Sequence, residues 1–246
     1  MELREFTSKW YDEKYFSDPK GKRFVMADGS VRYWGYRNPS GWWDGCIPIV
    51  KAWREMFNPR NMLDVGCGRA QFVLAARMEG IEAYGFDFSE WAITKGLVKG
   101  CKREWVKLWD ATKAPWPYGD REFDLVIILD TLEHIYEEDL DTVLSEMYRV
   151  ANKWIFLQIA TVDGVREKGF ILKRGEPIPL DKDPRTWAGH VTVQPPSFWY
   201  DRLEEADENG EWVPRRDMVN LFISLVDESI ISNWLQNLIV VLERLE

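Results

Sequence analysis

The sequence predicts one α/β domain with a parallel sheet whose two faces are both covered by helices. Two observations carry this prediction. Strand patterns alternate with helical patterns through residues 60–160, and runs such as "LVIIL" and "WIFL" are entirely apolar. Strands buried on both faces show such runs, and βαβ alternation produces a parallel sheet. The chain has 246 residues, of which 46% are hydrophobic, enough for one packed domain with additions.

The elements of the first half follow in order. Residues 1–45 are irregular and rich in aromatics, and residues 47–57 form a short helix. The strand "NMLDVG" precedes the helix "AQFVLAARMEG", which closes at Gly80, because glycine tolerates the left-handed conformation that ends many helices. The strand "IEAYGFDFS" precedes the helix "SEWAITKGLVKG", for which Ser89 is a suitable N-cap.

The second half continues the alternation and then becomes less regular. "EWVKLWD" and "FDLVIILD" are predicted strands, "EEDLDTVLSEMYRVA" is an amphipathic helix, and "KWIFLQIA" is the fifth strand. Residues 161–200 form an insertion rich in glycine, proline and charge. Helices are predicted over "PSFWYDRLEEA", with Ser197 near its start, and over "RRDMVNLFISLVDESI". The strand "NLIVVLERLE" is expected to join the same sheet, which makes residues 1–246 one domain.

Composition narrows the class of protein. The net charge of -9 and the pI of about 5.0 disfavour bulk nucleic acid as a partner, since such proteins usually carry a basic stripe. The three cysteines, Cys46, Cys67 and Cys101, form neither a metal-binding spacing nor a disulfide framework. No metal is therefore predicted, and a reducing, cytoplasmic setting is expected. The N-terminus lacks a signal-peptide core, and the longest apolar runs are far too short to span a membrane.

A short motif at the end of the first predicted sheet strand indicates a ligand site. In "MLDVGCGRAQF", residues 62–72, an acid stands two residues before the first of two glycines. Ligands of doubly wound sheets bind beyond the carboxyl ends of the strands, where glycine permits positive φ and close approach. The run "GCGRAQ" lacks the third glycine of the dinucleotide fingerprint, which disfavours a dehydrogenase.

The segment "LDVGCG" resembles the first motif of class I S-adenosylmethionine-dependent methyltransferases of the type 11 kind. Asp87, at the end of "AYGFD", stands where that family binds the ribose hydroxyls, and Asp110, after "VKLW", stands where it often contacts the adenine amino group. "FDLVIILDTLEHI" resembles the family's fourth strand and the turn after it. These segments occur in the family's order over roughly residues 60–160. One departure is Ala70, where many members have glycine, and its methyl group is expected only to trim the cleft.

The resemblance implies a Rossmann-like, seven-strand-type methyltransferase sheet with S-adenosylmethionine as cofactor. Asp87 can accept charge-assisted hydrogen bonds from both ribose hydroxyls, and Asp64 can hold the ammonium group directly or through water. Structural alternatives are a helix N-cap for Asp87, a solvated strand end for Asp110 and a turn cap for Asp130. The predicted cofactor-binding residues are Asp64, Gly66, Cys67, Gly68, Asp87, Phe88, Asp110, Ala111 and Asp130.

The catalytic and acceptor-binding predictions rest on less regular segments. His134 lies in "LEHI", where family members commonly carry the same residue near the transfer site, and His190 lies in the insertion. Both are predicted to be catalytic, with a turn or packing role as the alternative. Long loops in a compact domain are usually functional or disordered. Residues 1–45 are therefore predicted to form an aromatic lid, and the acceptor-contacting residues are predicted to be Tyr36, Arg37 and Arg185. The alternative is a structural cover that keeps the sheet edge dry.

The resulting functional prediction is methyl transfer to an unidentified acceptor. The negative net charge of the protein favours a small metabolite or a protein side chain over RNA as the methyl acceptor. Two alternatives remain open from the sequence: an aminopropyl transferase of the same fold, and a protein that binds S-adenosylmethionine without catalysis.

Overall fold

A seven-stranded sheet with helices on both faces organises the protein. The computed structural model describes residues 3–245. The helices are α1 (Glu13–Phe16), α2 (Cys46–Phe57), α3 (Gln71–Met78), α4 (Glu90–Thr94), α5 (Glu137–Val150), α6 (Pro196–Ala206), α7 (Arg216–Leu225) and α8 (Glu228–Ile231). The strands are β1 (Lys22–Val25), β2 (Val31–Trp34), β3 (Asn61–Val65), β4 (Glu82–Asp87), β5 (Val106–Leu108), β6 (Phe123–Leu129), β7 (Ala151–Ile159), β8 (Phe170–Ile171), β9 (Thr192–Val193), β10 (Trp212–Pro214) and β11 (Leu238–Arg244).

The sheet has the strand order β10-β11-β7-β6-β3-β4-β5. Strands β3 to β7 are mutually parallel. Strand β11 pairs antiparallel with β7, with Leu238 opposite Ile159, and β10 pairs antiparallel with β11. The predicted fold class is confirmed, and so is the prediction that the final strand joins the same sheet. The order reverses between β3 and β6, which creates the crevice where ligands of such sheets bind.

Alternating side chains of the central strands build two separate cores. Met62 of β3 and Ile127 of β6 face the core formed with α2, α3 and α7, whereas Leu63 and Ile128 face the core formed with α5 and α6. All four side chains are fully buried. Full burial of one such side chain contributes about 1.5–3 kcal/mol, so both faces hold the sheet rigidly under the site.

Several elements are shorter than the patterns predicted. Helix α4 ends at Thr94 instead of continuing to residue 100. The ring of Trp91 folds back over Gly96, where an added Cβ would lie 2.4 Å from a ring carbon. The predicted strand "EWVKLWD" is reduced to β5 because Arg103–Trp105 form a 3₁₀ turn. The predicted helix after residue 215 is split into α7 and α8.

The N-terminal segment contains regular structure that the sequence analysis missed. Strands β1 and β2 form an antiparallel hairpin around Asp28 and Gly29, and Gly29 has φ of +81°. An Asp-Gly pair between apolar-alternating runs is a strong hairpin signal and could have revealed it. The segment packs against the insertion in a third apolar cluster that includes Phe6, Tyr15 and Val191.

Ser89 ties this N-terminal segment to helix α4, and its predicted N-cap role is confirmed. Its Oγ accepts from the backbone N–H of Ala92 at 3.0 Å and donates to the carbonyl of Tyr11. We expect Ser89→Ala to lower the free energy of unfolding by about 1–2 kcal/mol, because a cap and a buried hydrogen bond are lost together. Urea unfolding measures this. The control Ser224→Ala, on an exposed face of α7, should stay within about 0.5 kcal/mol of the parent protein. Equal effects of the two substitutions would contradict the role of Ser89.

Within residues 3–245, no helix is both long enough and apolar enough to cross a membrane.

Candidate cofactor and acceptor site

Four aspartates meet at the carboxyl ends of neighbouring parallel strands. Asp64 lies in β3, Asp87 ends β4, Asp110 follows β5 and Asp130 follows β6. All four line one cavity of about 930 Å³. Because the strands are parallel, acids separated by more than 60 residues in the chain are brought to one edge of the sheet.

The turn after β3 brings backbone to the floor of this cavity. Gly66 has φ of +73° and Gly68 has φ of +51°. The N–H groups of Gly66 and Cys67 donate to the carbonyl of Phe86, at 2.9 and 3.0 Å. An added Cβ at Gly66 would lie 2.4 Å from Oγ1 of Thr131. Glycine is therefore required at Gly66 both by the left-handed backbone and by the close approach of Thr131.

The carboxylate of Asp87 is fixed by two backbone donors. Its Oδ2 accepts from the N–H of Gly68 at 2.8 Å, and its Oδ1 accepts from the N–H of Ser89 at 2.7 Å. Burial raises the pKa of Asp87 to about 6, while both hydrogen bonds lower it. Each oxygen keeps a further lone pair, so this carboxylate can still accept hydrogen bonds from a ligand diol.

Asp64 is the most unusual of the four acids. This residue is only 3% exposed and lies in the floor of the cavity. Burial, followed by the charge of Asp87, raises the pKa of Asp64 to about 8. A cationic ligand placed beside this group would favour its ionised form.

The adenine-side residues of the prediction also line the cavity. Asp110 is held by its own turn, since its Oδ1 accepts from the N–H and the hydroxyl of Thr112, at 2.9 and 2.8 Å. Ala111 and Phe88 lie on the same lining, and the ring of Phe88 lies 5.1 Å from that of Tyr11. The structure therefore brings together all nine residues that the sequence assigned to the cofactor.

The turn after β6 adds a histidine to the cavity lining. Asp130 has φ of +45°, and burial raises the pKa of its carboxyl to about 6. His134 lines the cavity, with its Nδ1 3.2 Å from the hydroxyl of Tyr11. His190 lies beside it with a ring-centroid distance of 4.8 Å, but it is absent from the cavity lining. Burial lowers the pKa of both imidazoles, that of His190 to about 4.

Aromatic side chains of the N-terminal segment form the outer wall of the cavity. They are Phe6, Tyr11, Tyr15, Phe16, Tyr36 and Trp43. Tyr15 and Tyr36 contact each other edge to face at 5.5 Å, and Phe16 stacks on Trp91 at 5.8 Å. The position of this wall agrees with a lid, whose movement stays a prediction.

Two of the residues predicted to meet the acceptor are not brought to the cavity lining. The guanidinium of Arg37 donates to the carbonyl of Tyr33 at 2.8 Å. That of Arg185 is held by ion pairs to Asp183 and Glu167, at 2.7 and 2.8 Å. These local partners point both side chains to positions outside the cavity, so of the three predicted residues only Tyr36 lines it.

Sequence reasoning missed an arginine at the cavity rim. Arg174, in the insertion, forms ion pairs with Glu5, Glu138 and Asp139, at 3.1, 3.0 and 2.6 Å, and lines the cavity. It joins the N-terminal segment to the start of α5. No local signal marks it, because its partners come from distant parts of the chain.

Ala70 does not trim the cleft as expected. It is fully buried in the core and has φ of +63° at the start of α3. The methyl group therefore faces the packed interior, and the cost of this alanine is backbone strain at a left-handed position.

The family comparison agrees with this geometry. Residues 63–153 match the family model for a methyltransferase domain. Residues 63–153 form a class I S-adenosylmethionine-dependent methyltransferase core. The resemblance of "LDVGCG" and the segments after it is thereby confirmed, and the matched residues run from the second half of β3 to the start of β7.

Individual proteins resemble this methyltransferase core to different extents. Norajmaline N-methyltransferase of Rauvolfia serpentina is 36% identical over 97 residues, which are 38% of this chain and 32% of that enzyme. The match thus spans about a third of the length of the curated relative.

Two solved structures share the fold. A SAM-dependent methyltransferase of Archaeoglobus fulgidus is 19% identical with a TM-score of 0.50, and the match covers 80% of this chain and 93% of that one. The 1,6-didemethyltoxoflavin-N1-methyltransferase of Burkholderia thailandensis, solved with S-adenosylhomocysteine, is 15% identical with a TM-score of 0.51, covering 82% and 79%. At these identities the likeness establishes the fold of the methyltransferase core.

Proposed function

We propose that this protein transfers the methyl group of S-adenosylmethionine to a small-molecule acceptor. The observation that carries the proposal is one continuous cavity with two chemically different walls. Its floor contains the glycine turn with Asp64 and Asp87, and its outer wall is aromatic. The first surface suits a polar nucleoside cation, and the second suits an organic acceptor.

The floor matches the groups of S-adenosylmethionine one by one. Asp87 is held where it can accept from the ribose diol, and its own backbone donors keep it from rotating away. Asp64 can face the ammonium group of the amino-acid tail. Asp110 and Ala111 follow the next strand, β5, where the adenine would bind, and Phe88 follows Asp87 at the end of β4. The volume of about 930 Å³ lies near the upper end of the range of roughly 300–1,000 Å³ for ligand pockets, which leaves room for an acceptor.

The reaction requires little covalent chemistry from the protein. An acceptor lone pair forms a bond to the methyl carbon as the carbon–sulfur bond breaks, and S-adenosylhomocysteine leaves as a neutral thioether. Alignment of the two reactants and exclusion of water supply most of the rate. The neutral imidazole of His134 lies on the cavity wall and can take a proton from an acceptor that must lose one.

A small acceptor fits better than a macromolecule. Aromatic side chains of the N-terminal segment, including Tyr11, Tyr36 and Trp43, cover one side of the cavity and offer apolar contacts to a small organic molecule. Two of the proteins named above, norajmaline N-methyltransferase and 1,6-didemethyltoxoflavin-N1-methyltransferase, act on small molecules according to their names. The net charge of -9 weighs against bulk nucleic acid. An aminopropyl transferase or a non-catalytic binding protein receives no support from the comparisons.

The test combines binding and turnover. We expect calorimetry to show binding of both S-adenosylmethionine and S-adenosylhomocysteine. Incubation with cell-extract metabolites and methyl-labelled cofactor should transfer label to a compound that passes a small-pore filter. Absence of cofactor binding would overturn the proposal. Cofactor binding with label found only on protein or RNA would overturn the choice of acceptor, and binding with no label transferred would favour the non-catalytic alternative.

A further inference from the structure

Three side chains of types that can ligate a metal meet at the turn after β6, beside the cavity. Glu133 and His134 belong to the 3₁₀ turn after β6, and His190 comes from the insertion. One candidate ligand atom from each lies within 4.8 Å of the others. Two imidazole nitrogens and one carboxylate oxygen are thus gathered from segments far apart in the chain.

Glu133 is the member that ordinary packing leaves unexplained. It is fully buried, and its Oε1 accepts from the N–H of Ala160 at 3.2 Å. Within the described part of the chain, Oε2 is buried without a hydrogen-bond partner. A buried carboxylate oxygen without a partner costs free energy, and native proteins rarely keep one without a cation or a proton beside it.

The two histidines are already in the form that a metal needs. Burial and their mutual proximity keep His134 neutral, and burial does the same for His190. Neutral imidazole is the ligating form. The Nδ1 of His134 lies 3.2 Å from the hydroxyl of Tyr11, a contact that would orient the ring and leave Nε2 to coordinate. Such an outer partner is usual for metal-ligating histidines.

The surrounding charges favour a cation. Asp130 is a second buried carboxyl close to Glu133, and burial, followed by the charge of Asp130, raises the pKa of Glu133. Arg185, whose charge lowers the pKa of His190, is paired with the carboxylates of Asp183 and Glu167. A divalent ion beside Glu133 would therefore offset negative charge without facing an unpaired guanidinium.

We propose that Glu133, His134 and His190 bind one divalent transition-type cation, of which Zn²⁺ is the representative. Two imidazoles and one carboxylate form a known three-ligand zinc set that leaves a fourth position open. Mg²⁺ and Ca²⁺ prefer oxygen ligands throughout, so they fit this set less well. Metal–nitrogen bonds of about 2.0–2.1 Å require the three ligand atoms to approach each other by roughly an ångström, within reach of small side-chain rotations.

The open position would face the acceptor. His134 and Asp130 line the cavity, so the ion would lie at the cavity wall formed by the turn after β6. There it could hold an acceptor oxygen and lower the pKa of a hydroxyl group before methyl transfer. This role rests on the proposed function, whereas binding of the ion does not. With the ion bound, His134 would act as a ligand and not as the proton acceptor.

Cobalt titration of the full chain tests binding directly. After treatment with a chelator, Co²⁺ should bind with one-to-one stoichiometry and a visible absorption band of a low-coordinate site, and Zn²⁺ should displace it. We expect Glu133→Gln and His190→Asn each to weaken Co²⁺ binding at least tenfold. The matched control Glu55→Gln, an exposed carboxyl on α2, should bind as the parent protein does.

Two further measurements make every outcome decisive. Circular dichroism and calorimetry with S-adenosylhomocysteine, both without added metal, establish whether each variant is folded and keeps its cofactor site. A folded variant that binds Co²⁺ like Glu55→Gln would overturn the assignment, as would a parent protein with no saturable site. If one variant fails to fold, the other decides. If the parent protein does not bind S-adenosylhomocysteine, the proposed function is contradicted, but the metal titration still tests the proposed metal site.

Discussion

Asp87→Ala should lower the affinity for S-adenosylmethionine by about 1.5–3 kcal/mol, roughly tenfold to more than a hundredfold. Hydrogen bonds to a charged group carry this magnitude. The carboxylate of Asp87 is aimed by the N–H groups of Gly68 and Ser89, at 2.8 and 2.7 Å. Alanine removes the acceptor for the ribose diol and also loosens the glycine turn that carries Gly68. Calorimetry at pH 7.5, above the pKa of about 6, measures the loss.

Two comparisons separate a binding effect from an effect on folding. Asp201→Ala, an exposed aspartate on α6, is the matched control and should leave affinity unchanged. Asp87→Asn keeps one oxygen for a backbone donor and should unfold at a higher temperature than Asp87→Ala while binding the cofactor poorly. A folded Asp87→Ala protein with parental affinity would remove Asp87 from the cofactor site.

The cofactor half was predictable because its signals are local. An acid lies within two residues of the carboxyl end of β3, β4, β5 and β6, and parallel strands bring those ends to one edge of the sheet. These positions, together with the resemblance to the methyltransferase family, placed Asp64, Asp87 and Asp110 in one predicted site. The glycine turn added an independent signal, since Gly66 and Gly68 both adopt positive φ.

The other wall was less predictable because its contacts join distant segments. His190 and Arg174 reach His134 and Glu138 from the insertion, and no periodicity in that insertion reveals the pairing. The charged guanidinium of Arg185 could contact an acceptor, but it forms an ion pair with the neighbouring Asp183 instead. Side-chain type limits what a residue can do, but long-range packing decides which partner it meets.

Asp64 links cofactor binding to the pH dependence of stability. Its pKa is about 8 in the folded protein, far above the ordinary value of 3.8. The folded state therefore holds a proton that the unfolded state releases above about pH 4. Stability falls as pH rises towards 8, by at most about 1.4 kcal/mol per pH unit for one proton, and levels off above the folded pKa.

Asp64→Asn should remove this penalty at the cost of cofactor binding. Between pH 6.5 and 8, where Asp87 is already largely ionised, we expect the melting temperature of the ligand-free parent protein to fall with pH more steeply than that of the variant. The variant should bind S-adenosylmethionine more weakly at every pH in this window. If the melting temperatures of the two proteins changed equally with pH, the carboxyl of Asp64 would not be protonated in the folded state.

Proton release on binding gives a second, independent measurement of the same group. At pH 7 Asp64 is mostly protonated, so an ammonium group that pairs with its carboxylate must displace that proton. Calorimetric enthalpies for S-adenosylmethionine in phosphate and in Tris should then differ, because the two buffers take up a proton with different heats. We expect the difference to correspond to release of up to one proton in the parent protein and to disappear in Asp64→Asn. An enthalpy independent of buffer in the parent protein would mean that the ammonium group binds elsewhere, since a carboxyl with a pKa of about 8 cannot pair with a cation at pH 7 and keep its proton.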